Sequence, residues 1–423
     1  MNDGSTQHGI SRGSMTIAAF STVVEWYDFT LYLYLATLLS RVFYGGGAES
    51  LAATLGGFAV SYLMRPLGAL VFGQVGDRFG RRRMMLWSMA LMTVAMLGIA
   101  LLPTRAAIGP AAGWLLLALR CVMAFSVGGE YTGVVAYLYE GARPERRGLV
   151  TSSASAASEV GGLLAVGISA ATVSLMPTAQ LEAWGWRIPF FVGAALAATI
   201  GIARSTLQES PEFERQQAIG SVPSNPFVHA ITHHRTAIAR GFAISALGSI
   251  TYYVGIVYVP SFLTGTGAMG EGAALWLSTT AAVMVIAVTP LVGLLSDHVG
   301  RKPVLLTACA GAAILPMTMF AWMAGAGSAA LIGALVLAAL GGTVSAVGAV
   351  ATAEQLPGEG RLTGLALGAT AATAIFGGLT PLVSHLLLEA TGWVMVPGAM
   401  IAVVAVAVAP VLLTLREGAV RRG

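Results

Sequence analysis

The sequence GQVGDRFGRR at residues 73–82 has a weaker copy, GLLSDHVGRK, at residues 293–302. Gly, Asp, Gly and Arg stand at the same four places in both segments. A second pair of segments, YEGARPERRG at 139–148 and AEQLPGEGRLTG at 353–364, has Glu140 and Glu354 in corresponding places. Both copies follow their originals by nearly the same distance along the chain, which predicts a protein that consists of two repeated halves.

The composition places both halves in a lipid bilayer. The chain has 423 residues, of which 56% are hydrophobic and 10% charged, and its mean hydropathy is +0.78. A helical span needs about 20 apolar residues to cross the hydrocarbon layer. Twelve such runs lie at roughly residues 14–40, 51–75, 84–103, 110–139, 150–176, 186–207, 238–263, 272–296, 303–324, 328–352, 362–388 and 393–415. We therefore predict an all-α polytopic membrane protein with twelve transmembrane helices in two pseudo-symmetric six-helix bundles.

Basic residues predict how the chain is oriented in the membrane. Eighteen Lys and Arg residues fall on the side that holds both termini, and three, Arg41, Arg105 and Arg187, fall on the opposite side. By the positive-inside rule, both termini are expected in the cytoplasm. The pI of about 9.2 is then a consequence of topology, and we expect no nucleic-acid partner.

The predicted domains follow from these spans. We expect a cytoplasmic tail at 1–13, a first bundle at 14–207, a cytoplasmic linker at 208–237, a second bundle at 238–416 and a cytoplasmic tail at 417–423. The linker contains the longest polar stretch of the chain, QESPEFERQQ. Repeated halves with a site at their interface near the bilayer midplane are a recurring plan of transporters.

Two carboxylates lie inside the first span. The segment STVVEWYDFTLYLY, Ser21–Tyr34, places Glu25, Asp28 and Tyr32 at i, i+3 and i+7, on one face of a helix. An ionisable side chain at membrane depth costs several kcal/mol unless it is paired or hydrated. This face of the first span therefore indicates a pathway for protons or solute.

Several segments give the chain a family resemblance. The pattern GxxxDRxGRR between the second and third spans, with its degenerate copy between the eighth and ninth, resembles the loop signature of the major facilitator superfamily. The chain is also similar to the metabolite:proton symporter family, which includes citrate, 2-oxoglutarate, shikimate and proline/betaine carriers. The supporting segments are EWYDF at 25–29, RPLGA at 65–69, SVGGEY at 126–131, WGWRIPFF at 184–191, LQESPEF at 207–213 and IFGGLTP at 375–381. The resemblance implies alternating access driven by a proton gradient, with no bound cofactor or metal.

Depth predicts an ion pair between the first and fourth spans. Asp28 lies about 21 Å along its helix from the inner end, and Arg120 lies about 15 Å from the outer end of its own helix. An Asp facing an Arg at mid-membrane resembles the coupling pair of sugar:proton symporters. Deprotonated Asp28 would hold Arg120, which would also bind an anionic group of the solute, and protonation would release it. The alternative is a permanent structural ion pair.

Three further acids are candidates for proton coupling. Glu25 has Arg65 in the second span as its natural partner. We expect this pair to stabilise the structure, and a role in proton coupling is the alternative. Glu159 lies about 15 Å into the fifth span, where it is a proton site, a contact for a cationic or zwitterionic solute, or a partner of Arg120. Glu130, near the cytoplasmic end of the fourth span, is expected to form an inner-gate hydrogen bond.

The two loop copies are predicted to form a gate. Asp77 is placed to accept hydrogen bonds from the N-terminus of an adjacent helix and to pair with Arg81. The alternative is a loop whose positive charge only sets topology. The predicted gating residues are Gly73, Asp77, Arg78, Gly80, Arg81, Asp297 and Arg301.

Tyrosines complete the predicted solute site. The segment TYYVGIVYVP at 251–260 supplies Tyr252 and Tyr253, which with Tyr32 offer hydroxyl groups to a solute's carboxylate. The alternative is anchoring at the membrane interface, where tyrosine is common.

These patterns predict a proton-coupled symporter that imports a small organic acid. Transport of a zwitterion such as betaine or proline is the alternative, favoured by Glu159. A membrane enzyme or a non-transporting sensor is a remote alternative, because the sequence contains no HExxH, GxSxG, Walker A or clustered His/Cys pattern. The expected partners are a small metabolite, protons and the lipid bilayer, and we expect a monomer in a bacterial inner membrane.

Overall fold

A computed structural model describes residues 12–79, 81–128, 134–135, 138–139, 142, 144–205, 232, 234–325, 327–355 and 366–415. For residues 12–19, 70, 73–79, 81–82, 144, 153–154 and 366 the description covers the backbone only. Over these ranges the chain is helical and contains no β-strand.

Seven long helices form the first half. They are α1 (Arg12–Tyr34), α2 (Ala48–Tyr62), α3 (Met64–Phe79), α4 (Arg81–Leu101), α5 (Ala111–Ser126), α6 (Arg147–Leu175) and α7 (Arg187–Ser205). The first span continues beyond α1 through two short helical segments, Ala36–Leu39 and Ser40–Tyr44. The second predicted span is divided at Leu63 between α2 and α3.

The described part of the second half contains seven further helices of seven residues or more, with more interruptions. Its helices are α8 (Arg235–Tyr252), α9 (Val259–Gly265), α10 (Glu271–Val299), α11 (Arg301–Ala324), α12 (Ser328–Gln355), α13 (Thr380–Thr391) and α14 (Val396–Leu413). A π-helical turn, Tyr253–Val257, separates α8 from α9, and the chain bends by 45° there. Two more π-helical turns, Ala366–Thr370 and Ala374–Leu379, precede α13.

Helices follow all twelve predicted spans, although parts of the fourth, the sixth and the eleventh lie outside the described residues. Within the described ranges, eight helices are individually long and apolar enough to cross a bilayer, or nine if the bent segments Arg235–Val257 and Val259–Gly265 count as one span. The prediction of an all-α polytopic membrane fold is confirmed. The domain boundaries, the orientation of the termini and the monomeric state stay predictions.

The helix α6 joins the two halves. It packs along α1 within its own half and along α10 and α12 of the other half. Alternation of direction along the spans defines two faces. We call the face at which α1 and α6 begin the proximal face, and the opposite face, where the first span ends at Tyr44, the distal face.

Close contact between α1 and α6 depends on one glycine. A Cβ atom at Gly161 would overlap the carbonyl oxygen of Val23 and lie 2.9 Å from the amide nitrogen of Tyr27. Small residues allow transmembrane helices to approach each other closely through their backbones. This contact fixes the height of Glu159 on α6 relative to Glu25 and Asp28 on α1.

We expect Gly161→Ala to lower the free energy of unfolding by about 1–3 kcal/mol, because the added methyl group meets backbone atoms that have no rotamer with which to avoid it. Gly167→Ala on the same helix is the matched control, since a Cβ there would lie 4.0 Å from the Thr279 methyl group in an ordinary contact. Thermal unfolding of the purified protein in detergent measures both variants. Equal melting temperatures for the two would contradict the prediction.

Candidate functional site

A cavity of about 160 Å³ lies between the two halves. A single water needs only about 10–15 Å³ on a comparable measure, so the cavity has room for a small solute. The first half contributes four polar or aromatic side chains, Glu25, Trp26, Arg65 and Glu159. The second half contributes hydroxyl groups from α8, α12 and the turn before α13, namely Ser245, Ser249, Tyr252, Tyr253, Ser345, Thr352, Thr370 and Thr373.

Among the described residues that line the cavity, the cation is Arg65. Its Nη2 atom lies 2.5 Å from Oε1 of Glu25, and its Nη1 atom donates a hydrogen bond of 2.9 Å to the Tyr62 hydroxyl. The Tyr62 hydroxyl in turn hydrogen-bonds to the hydroxyl of Tyr253 in the other half. The predicted Glu25–Arg65 pair is therefore present, and a polar chain leads from α1 across the interface between the halves.

Backbone contacts hold Arg65 in position. A Cβ atom at Gly68 would overlap the carbonyl oxygen of Phe125, and one at Gly128 would overlap the carbonyl oxygen of Arg65 itself. The guanidinium carbon lies 3.8 Å above the centre of the Phe29 ring, where the negative face of the ring attracts a cation. The Arg65 guanidinium is thus pre-positioned at the wall of the cavity.

A second ion pair lies deeper in the first half. Nη1 of Arg120 is 3.6 Å from Oδ2 of Asp28, and both side chains are almost completely buried. Over the described residues, neither carboxylate oxygen of Asp28 and none of the three guanidinium nitrogens of Arg120 has a hydrogen-bond partner. A buried ion pair that lacks hydrogen bonds recovers little of its desolvation cost. Its energy is therefore sensitive to the arrival of a proton.

Residues that the sequence predicted to form one solute site do not all line the cavity. Arg120 lies over the Tyr32 ring, with 4.7 Å between the guanidinium carbon and the ring centre. The Tyr32 hydroxyl donates a hydrogen bond of 3.0 Å to the carbonyl oxygen of Thr54. None of Asp28, Tyr32 and Arg120 is among the residues that line the cavity, whereas Arg65 is. The depth of a residue along its helix does not show whether it lines the cavity, because the direction it faces is set by rotation of the helix about its axis.

The third buried acid, Glu159, faces the cavity from α6. Only 4% of its surface is exposed, and it lies beside the Tyr252 side chain of the other half. No ion pair to Glu159 is found in the part of the chain that the structure describes. Tyr252 and Tyr253 both line the cavity, so the predicted tyrosines are brought to the same site as Glu159.

A latch joins the halves at the proximal face. The Asp297 carboxylate accepts hydrogen bonds of 2.9 Å from the backbone amides of Gly148 and Leu149, in the first turn of α6. Arg301 binds the same carboxylate at 2.7 Å and lies 3.4 Å from Glu354. An anion at a helix N-terminus is stabilised by unpaired amides and by the helix dipole. Asp297 and Arg301, two of the predicted gating residues, are joined in this contact, and their role as a gate stays a prediction.

The first loop copy cannot be compared in the same way. Gly80 and Glu130 lie outside the described residues, as do the side chains of Gly73, Asp77, Arg78 and Arg81. Their predicted roles stay predictions.

A latch at the distal face was not predicted. Arg41 lies 2.6 Å from Glu182 of its own half and 3.0 Å from Glu271 of the other half. In the sequence, Arg41 was only one of three basic residues on the poorly charged side. Basic residues are rare on this side of the membrane, so the presence of Arg41 there was the sequence feature that could have indicated a specific contact.

Comparison with known proteins places the chain in a family. The profile of the family described as "Sugar (and other) transporter" matches residues 14–219 and again residues 212–417. The chain is a member of the sugar (and other) transporter family. Its fold agrees with that of the proton:xylose symporter XylE bound to 6-bromo-6-deoxy-D-glucose, with a TM-score of 0.77, 19% sequence identity and 96% of each chain covered.

Curated relatives of this family member are solute carriers. It is 35% identical to the ectoine/proline transporter ProP of Corynebacterium glutamicum, over 88% of this chain and 78% of that protein. It is 32% identical to the alpha-ketoglutarate permease of Escherichia coli, over 85% and 84% of the two chains. It is 30% identical to the citrate-proton symporter of Klebsiella pneumoniae, over 93% and 89%. The resemblance to metabolite:proton symporters of the major facilitator superfamily is confirmed.

Proposed function

We propose that this protein is a proton-coupled symporter that imports a small carboxylate-bearing solute by alternating access. The cavity between the halves, with Arg65 bound to Glu25 in its wall, is the observation that carries the proposal. Relatives named as carriers of citrate with protons, of alpha-ketoglutarate and of ectoine and proline support it. The protein would act in a bacterial inner membrane with both termini in the cytoplasm.

Competition for Arg65 would couple the solute to the proton. One guanidinium neutralises one carboxylate, so a solute carboxylate that binds Arg65 takes the counter-ion of Glu25. Glu25 is 1% exposed, and a buried carboxylate without a counter-ion takes up a proton instead of remaining charged. Solute and proton would therefore enter the cavity together, which is the requirement for symport.

The deeper pair of Asp28 and Arg120 would act as the switch between conformations. The sequence assigned the solute's anionic group to Arg120, but Arg65 is the arginine at the cavity wall. We therefore propose Arg65 for the contact with the solute and keep Arg120 as the counter-ion of Asp28. Protonation of Asp28 would remove the attraction across 3.6 Å and free α5 to move relative to α1.

The two latches would open in alternation. The proximal latch at Asp297 holds the start of α6 against the end of α10, and the distal latch at Arg41 holds the start of α10. Opening of one latch while the other stays closed would expose the cavity to one side of the membrane at a time.

The proposed function is tested in reconstituted vesicles with a pH-sensitive dye outside. Addition of a transported solute from a panel of citrate, 2-oxoglutarate, proline and ectoine is expected to make the external solution more alkaline, because protons leave it with the solute. Vesicles without protein are the control. Uptake of labelled solute with no change in external pH would contradict proton symport.

A further inference from the structure

The charged side chains of the cavity wall do not balance. Of the described residues that line it, Glu25, Arg65 and Glu159 carry the acidic and basic groups, and Glu25 is already bound to Arg65. Glu159 is buried beside the side chain of Tyr252, whose neutral hydroxyl does not cancel the charge of a carboxylate. A buried carboxylate requires a cation or a proton. The part of the cavity wall at Glu159 therefore favours a positively charged group.

Aromatic rings border Glu159 on the cavity side. The Trp26 and Tyr252 rings meet edge to face with their centres 5.1 Å apart, and Trp26 also stacks against Tyr253 at 6.4 Å. All three rings belong to the cavity lining. The faces of tryptophan and tyrosine attract organic cations, most strongly where water is excluded. Glu159 and these rings together form a place for an ammonium group.

Arg65 and Glu159 lie close enough together for one small solute to reach both. Tyr252 and Tyr253 are neighbours with ring centres 5.3 Å apart. Tyr252 lies beside Glu159, whereas the Tyr253 hydroxyl hydrogen-bonds to Tyr62, which accepts a hydrogen bond from Arg65. A solute that reaches both places carries its positive and negative groups only a few bonds apart.

We infer that the cavity takes a small dipolar solute, whose carboxylate binds Arg65 and whose ammonium group lies against Glu159, Trp26 and Tyr252. This inference rests on the proposed function and narrows its substrate class. The net charge of the site supports it. With Glu25 protonated, the positive charge of Arg65 and the negative charge of Glu159 cancel, and a dipolar solute leaves the site neutral. A monoanion with one proton would leave one buried negative charge, and a dianion two.

Two pairs of probes isolate the positive charge. N,N,N-trimethylglycine and 3,3-dimethylbutanoate have the same shape and differ in one cation, and so do L-proline and cyclopentanecarboxylate as ring compounds. Titration calorimetry on the purified protein is expected to give, for at least one pair, an affinity about thirtyfold higher for the dipolar member. Equal affinities within both pairs, a preference for the anions, or no binding of either dipolar probe would overturn the inference.

The variant Glu159→Gln assigns the preference to one residue. Glutamine keeps the size of the side chain but removes its charge, so the preference is expected to fall to threefold or less. Glu49→Gln, which removes an exposed carboxylate, is the matched control and is expected to keep the full preference. A full preference in Glu159→Gln would overturn the role of Glu159.

Transport measurements separate this inference from the proposed function. If 3,3-dimethylbutanoate enters vesicles with protons and trimethylglycine does not enter, the inference fails while proton symport stands. If a dipolar probe enters with no movement of protons, the inference stands and the proposed coupling fails.

Discussion

Asp28→Asn is expected to abolish solute accumulation driven by a pH gradient while leaving binding and exchange of solute in place. Asparagine imitates the protonated aspartic acid in size and charge, so the switch is held in one protonation state. A gradient of one pH unit is worth about 1.4 kcal/mol per proton, or roughly tenfold accumulation. The wild type is expected to reach that ratio, and the variant is expected to stay near a ratio of one.

The measurement is uptake of labelled solute into vesicles with an imposed pH gradient, followed by counterflow with no gradient. Glu49→Gln is again the matched control, because it removes a carboxylate from an exposed position. Accumulation by Asp28→Asn with the pH dependence of the wild type would remove Asp28 from the coupling mechanism.

Arg65→Gln is expected to abolish solute binding and to lower the free energy of unfolding by about 3–5 kcal/mol. The loss of stability arises because Glu25, 1% exposed, loses the counter-ion that stabilises its charge and takes up a proton in the interior at a cost in free energy. In the double variant Glu25→Gln with Arg65→Gln, no charge is left unpaired, so stability is expected to recover. Solute binding is not expected to recover, since the carboxylate of the solute has lost its partner.

Thermal unfolding and titration calorimetry on the two variants separate a structural from a binding role of Arg65. A purely structural ion pair would give a double variant that regains both stability and solute affinity. That result would remove Arg65 from the solute site and return attention to Arg120.

Much of the fold and both ion pairs could be predicted because the position of a residue in a transmembrane helix determines its depth in the membrane. A rise of about 1.5 Å per residue placed Asp28 and Arg120 at the same level, and a spacing of three placed Glu25 on the same face as Asp28. The repeated loop segment predicted two halves and placed Asp297 among the gating residues, and Asp297 contacts the start of α6.

The remainder depends on rotation and on contacts between distant segments. Whether Arg65 or Arg120 faces the cavity is decided by rotation about the axes of α3 and α5, and that rotation is set by backbone contacts at Gly68 and Gly128. The bridge from Arg41 to Glu271 joins positions that are far apart in the chain, with no pattern that pairs them. Hydropathy also gave no sign of the π-helical turns, because an altered hydrogen-bond register leaves composition unchanged.

The π-helical turns at Tyr253–Val257 and Ala374–Leu379 touch one another, since a Cβ atom at Gly377 would lie 2.8 Å from the Tyr253 ring. Part of the hydroxyl-bearing side of the cavity, including Tyr253 and Thr370, is therefore built on loosely wound segments, whereas its ionic side is built on tightly seated helices. The two halves would therefore contribute differently to the evolution of specificity for a new solute. Changes in the length or bulk of the cargo would arise from substitutions in the carboxyl-terminal half, and a change in its electrical character would require mutation of the amino-terminal half.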